Sequence, residues 1–154
     1  APTELFVTAL PLSGFHRAVE QIRTSLRNPE LLSTPSEDLP RPVPLTHERV
    51  SGLKTKTDGT GNYAVRGSLS ADGDISFYIW IDDEKQLFEV EMVFWSDISF
   101  PEYNTESQHM HMFARLLGLA ESLRCGANSS KCILADAHSG PTEELFDNQH
   151  AVIW

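Results

Sequence analysis

The chain has 154 residues, 22 of them acidic and 12 basic, with a formal net charge of −10 and 40% apolar side chains. That composition can bury a single core, so one domain over residues 1–154 is expected, and the acidic balance disfavours nucleic acid, whose phosphates are bound by Lys and Arg. Apolar runs are only a few residues long, far short of the roughly 20 that cross a bilayer as a helix, so no membrane partner is expected.

Glu4 to Leu10 (ELFVTAL) is rich in strand formers and bounded by Pro2 and Pro11, which predicts a strand. A helix follows. Ser13 is placed to cap it, and Phe15, Ala18, Val19, Ile22 and Leu26 form one apolar stripe that stops at Asn28-Pro29. Residues 28–46 hold five of the nine prolines (Pro29, Pro35, Pro40, Pro42, Pro44), which exclude a helix interior or a paired central strand, so an extended Pro-rich connection is expected. Val50 to Thr57 reads as an edge strand, Asp58 to Gly61 as a turn, and Asn62 to Ser70 as the next strand.

Asp72 to Trp95 (DGDISFYIWIDDEKQLFEVEMVFW) reads as two long strands joined by an acidic turn, and the chain is expected to be organised around it. A turn at Asp82 to Lys85 pairs Ile81 with Gln86 and gives one fully apolar face, Ile75, Phe77, Ile79, Phe88, Val90 and Met92. A three-residue loop before this hairpin places Tyr63, Val65 and Leu69 on the same core face and Arg66 and Ser68 outside. The outer face of the hairpin carries Tyr78, Trp80, Glu89, Glu91 and Trp95. A core would not choose that mixture and a merely solvated face does not need it. From Asp72 to Glu106 there are ten acids and one base, Lys85, while the rest of the chain nearly balances. Such polarisation favours a basic partner.

After a connection from Ser96 to Asn104 a second helix is expected from Thr105 to about Arg124, with Gln108 completing a capping box and Gly126 as its stop. Its apolar stripe is His109, Met112, Phe113, Leu116, Leu117, Ala120 and Leu123. Lys131 to Ala135 and Ala151 to Trp154 read as strands and Pro141 to Phe146 as a helical turn. The predicted fold is α+β: an antiparallel β-meander of three to five strands with two helices packed on one face and the other face open.

Candidate chemistry is sparse. His109 and His111 diverge by about 200° on a helix, so no metal and no cofactor is expected. Asp136, His138 and Ser139 lack a nucleophile elbow and read as a polar turn. Glu89 and Glu91 sit about 7 Å apart on one strand face, a separation compatible with paired-carboxylate catalysis. Cys125 and Cys132 enclose a short loop that a disulfide of roughly 2.5 kcal/mol would close.

The amphipathic first helix, variable middle, Trp-bearing hairpin GDISFYIWIDDEKQLFEVEMVFW and following helix resemble, in layout, the bacterial immunity proteins that neutralise polymorphic or contact-delivered toxins. That resemblance implies no catalytic activity and a tight complex with a cognate basic toxin, often a nuclease, made in the cytoplasm. The expected partner surface is Tyr78, Trp80, Asp82, Asp83, Glu84, Glu89, Glu91, Trp95, Asp97 and Glu102, unless a second copy of the chain covers it as a homodimer. Two alternatives stand beside this reading. One is a secreted or periplasmic inhibitor or effector with a Cys125–Cys132 bridge; the other is a small hydrolytic or carbohydrate-active enzyme using Glu89 and Glu91.

Overall fold

The computed structural model describes residues 3–57, 61–69, 74–94, 106–125, 130–136 and 151–153. The elements are β1 (Thr3–Pro11), α1 (Phe15–Ser25), β2 (Arg27–Thr34), β3 (Glu37–Pro44), α2 (His47–Ser51), β4 (Asn62–Ser68), β5 (Asp74–Asp82), β6 (Leu87–Phe94), α3 (Glu106–Arg124), β7 (Cys132–Asp136) and β8 (Ala151–Ile153). The described strands form one eight-stranded sheet in the order β3-β2-β4-β5-β6-β1-β7-β8. Every neighbouring pair is antiparallel. The α+β class therefore holds, but with eight described strands instead of three to five, and with three α-helices instead of two. The sheet is no simple meander either. Helix α1 carries the chain from β1 across three strands to β2, and α3 carries it from β6 over β1 to β7.

The helices lie on one face of the sheet, and the apolar stripes explain why. Phe15, Ala18, Val19 and Ile22 of α1 and Leu116, Leu119, Ala120 and Leu123 of α3 are buried in one cluster with Leu5, Val7, Val65, Phe77, Ile79 and Val90 from the strands. Phe15 sits at its centre, its ring 5.5 Å from Tyr63 and 5.6 Å from Phe88. Each such side chain contributes about 1.5–3 kcal/mol of transfer free energy before entropy is set against it. Helix α1 is entered differently from the expectation: Ser13 lies in a 3-10 turn, Leu12–Gly14, and Gly14 precedes the helix with no side-chain cap.

The Pro-rich segment is a correction. Residues 28–46 are not a free connection, since β2 and β3 form a hairpin at the edge of the sheet. Leu45 donates its N–H inward to the Pro29 carbonyl at 2.9 Å. With a backbone period of two, Pro44 and Pro42 then turn their nitrogens, which lack hydrogen, to the outer edge. Proline is tolerated there because no ladder bond is lost. Gly61 is held close to this hairpin, where a Cβ would come within 2.2 Å of the Pro35 carbonyl oxygen, so no larger residue fits.

Val50 to Thr57 is also corrected: Val50 lies in α2, where the Thr46 side chain accepts the Arg49 N–H at 3.2 Å and starts a short helix. In the central hairpin both faces are as expected, but the register is not. Ile81 pairs with Phe88, Ile79 with Val90 and Phe77 with Met92. The slip is two residues, which preserves the faces. Its cause is local, because Asp82 Oδ1 accepts the Lys85 N–H at 3.1 Å and Gln86 adopts φ 54°, so the turn closes on Asp82 and Leu87. The β4–β5 pairing likewise keeps the expected faces but slips by two residues: Val65 lies opposite Phe77 and Tyr63 opposite Ile79, where a three-residue loop sets Gly67 and Val65.

The face away from the helices is not open throughout. Ala64, Tyr78, Glu91, Phe6 and Ile133 lie side by side across five strands. Within that row Phe6 is 1% and Ile133 0% exposed, and Glu4, one step along β1, is 7% exposed. The uncovered part is the hairpin, where Tyr78, Trp80, Glu89 and Glu91 are half-buried.

Candidate functional site

Strand alternation puts Tyr78 and Trp80 of β5 and Glu89 and Glu91 of β6 on the face turned away from the helices. Tyr78 is directly opposite Glu91, and Trp80 is directly opposite Glu89. The Trp80 indole N–H reaches diagonally and donates to Glu91 Oε2 at 3.3 Å. Because β1 runs beside β6, with Phe6 opposite Glu91 and Glu4 opposite Val93, a third carboxyl joins them. Glu4 and Glu91 share a side-chain hydrogen bond.

Two carboxyl groups can hydrogen-bond only when one holds a proton, and Glu91 is the one disposed to hold it. Burial, and then the neighbouring charge of Glu4, push Glu91 up to about 7, against a smaller opposing effect of the Trp80 hydrogen bond. Glu89 is raised by burial alone. Among the described residues, none of the groups acting on Glu91 is a cation. The site is thus a partly desolvated acidic cluster centred on Glu91, with the Trp80 indole bonded to it.

The acids of the turn are partly engaged already. Asp82 holds the Lys85 N–H, and Asp83 Oδ1 accepts from Gln86 Nε2 at 3.1 Å, while Glu84 is exposed. Trp95, Asp97 and Glu102 lie outside the described residues, as do His138, Ser139 and the side chain of His109. His111 is exposed on α3. Among the described residues no group of three or more His, Cys, Asp or Glu is arranged to hold a metal ion.

The bridge between Cys125 and Cys132 is not formed. Cys125 is exposed after α3, whereas Cys132 is buried in the core under the helices, paired through its backbone with Val7. Burial raises the Cys132 thiol above its ordinary value, which keeps it protonated and unreactive.

Sequence reasoning missed Glu4 and the irregularity of β1. Glu4 alternates with Leu5 and Val7 in ELFVTAL, so its outward direction was legible. Its place beside Glu91 was not, because that depends on a pairing between the two ends of a long stretch of chain.

No protein-family model, curated protein or solved structure matches the chain. What the fold and the site define is an α+β protein whose sheet presents an acidic, tryptophan-bearing face beyond its helical layer.

Proposed function

We propose that this face binds a basic protein surface, and that the chain is an immunity-type inhibitor of a cationic toxin. The observation that carries the reading is the gathering of Glu4, Glu89 and Trp80 about Glu91, with no cation among the described groups acting on Glu91. Desolvating three carboxyls beside one another costs stability within the chain, and a docked cation from a partner offsets that cost. Trp80 and Tyr78 supply the amphipathic aromatic area typical of residues that dominate binding energy. Asp82, Asp83 and Glu84 at the hairpin tip add long-range attraction, which speeds association and weakens with salt.

The test is capture of partners from the native host with the full chain at low and high salt. Recovery of one basic protein in equal amounts, weakened by at least about 2 kcal/mol by Trp80→Ala or Glu89→Lys, supports the reading. Recovery of the chain alone sinks it.

The raised Glu91 beside Glu4 favours one second reading, acid–base hydrolysis by a carboxyl that stays protonated near neutrality. Under it, glycoside or ester turnover by the isolated chain disappears in Glu91→Gln while the fold persists.

A further inference from the structure

Strand β1 is interrupted where it passes Glu89. Val7 pairs with Val90 and Leu10 with Phe88, so two residues, Thr8 and Ala9, stand where Glu89 alone stands on β6. Ala9 takes φ 53°, a left-handed conformation that a non-glycine residue holds only when its surroundings impose it. Such bulges re-aim side chains and break the close pairing of a sheet. Here the break coincides with a hollow of about 290 Å³ whose lining includes Ala9, Trp80, Asp82, Lys85, Leu87 and Glu89. Trp80 pairs with Glu89 and Asp82 with Leu87, so these four side chains share one face. The volume lies just under the range of roughly 300–1,000 Å³ that takes a drug-sized ligand, and suits a single side chain.

We propose that this hollow is a receptor for one arginine side chain of the basic partner, its guanidinium held between the Trp80 ring and the Glu89 carboxylate. The inference rests on the acidic-face reading above and assigns it a chemical group. A guanidinium is planar and weakly hydrated, so it stacks on an indole and forks onto a carboxylate in one geometry. A lysine ammonium is a strongly hydrated point charge and gains less from the ring. Glu89 is half-buried, and burial raises its carboxyl above the ordinary value, so an arriving cation meets an acid whose desolvation has been partly met by folding. Lys85 opposes the cation at the rim. Against it stand Glu89 and Asp82, and the balance of the lining remains acidic.

The experiment is a ¹H–¹⁵N NMR titration of the full chain at pH 8 with N-acetylarginine methylamide, following the Trp80 indole N–H. The neutral citrulline counterpart and the lysine counterpart serve as controls. The arginine probe is expected to move the Trp80 signal, with the citrulline probe or a Glu89→Gln chain binding about tenfold more weakly. Lys85→Ala should tighten the arginine probe about two- to threefold, since it removes a like charge from an exposed turn. Neither substitution threatens the fold, because one relieves a desolvated charge and the other alters an exposed side chain. Equal binding of arginine and citrulline probes, equal binding of arginine and lysine probes, or no Trp80 response overturns the receptor. If the probe does not bind while a basic partner is still captured, the receptor fails and the acidic-face reading stands. Probe binding with no partner captured has the opposite meaning for that reading.

Discussion

Glu4 and Glu91, on neighbouring antiparallel strands, share a side-chain hydrogen bond while Trp80 donates to Glu91 from β5, and the burial of Glu91 beside Glu4 makes the acidic face sensitive to pH. Glu91 ordinarily titrates at 4.5 and is pushed up to about 7 by burial first and by Glu4 second. Between those values the native chain binds more protons than the unfolded one, so stability falls as pH rises through that window. Thermal unfolding at pH 5 and pH 8 checks this. Wild type is expected to lose on the order of 1–2 kcal/mol across the window after allowance for solvent screening, and Glu91→Gln to lose markedly less. An unchanged pH slope in Glu91→Gln would remove Glu91 as the titrating group.

Glu20 behaves in the opposite sense. Hydrogen bonding to Arg23 lowers it from 4.5 to about 2, opposed by burial and assisted by His47 on α2. Its stabilising effect is therefore complete above about 4.5 and disappears as pH falls towards 2. Acid unfolding followed by circular dichroism should show a step in wild type that Glu20→Gln lacks. Coincident acid transitions would mean that the ion pairs of Glu20 with Arg23 and His47 contribute nothing.

What the sequence disclosed, and what it withheld, follows from the range of the interactions involved. The faces of the 72–95 hairpin were legible because alternation with a period of two survives any even slip. Its register was not, because Asp82, Lys85 and Gln86 settle it through one side-chain hydrogen bond and one left-handed residue. Pro40, Pro42 and Pro44 exclude a paired central strand, but an edge strand accepts prolines spaced by two. Helix α2 is a single turn, too short for periodicity to reveal, although Thr46 was there to cap it. Glu4 joined the acidic cluster only through the placement of β1 between β6 and β7, which no local pattern encodes.

The centre of the core lends itself to a direct test. Phe15 is fully buried and its ring meets Tyr63, Phe88 and His16. Phe15→Ala leaves a cavity between α1 and the sheet, and urea unfolding is expected to report a loss of about 3–5 kcal/mol with the slope unchanged. A loss below about 1 kcal/mol would show that α1 does not pack where the structure places it.

Among the described strands β3 has no neighbour beyond it, and an unpaired strand edge is a template for another chain. Pro42 and Pro44 face that edge without an N–H to offer, and both are exposed. Replacing both by Thr restores two outward donors while leaving the inward bonds of β3 to β2 in place. The double variant should therefore unfold at a similar urea concentration to wild type yet self-associate, visible as a concentration-dependent rise in mass by light scattering. If the mass stays monomer-like at the highest soluble concentration, the prolines are spacing devices and not guards of the edge. If wild type itself associates while the variant does not, β3 is an interface between copies of the chain that the prolines help to shape.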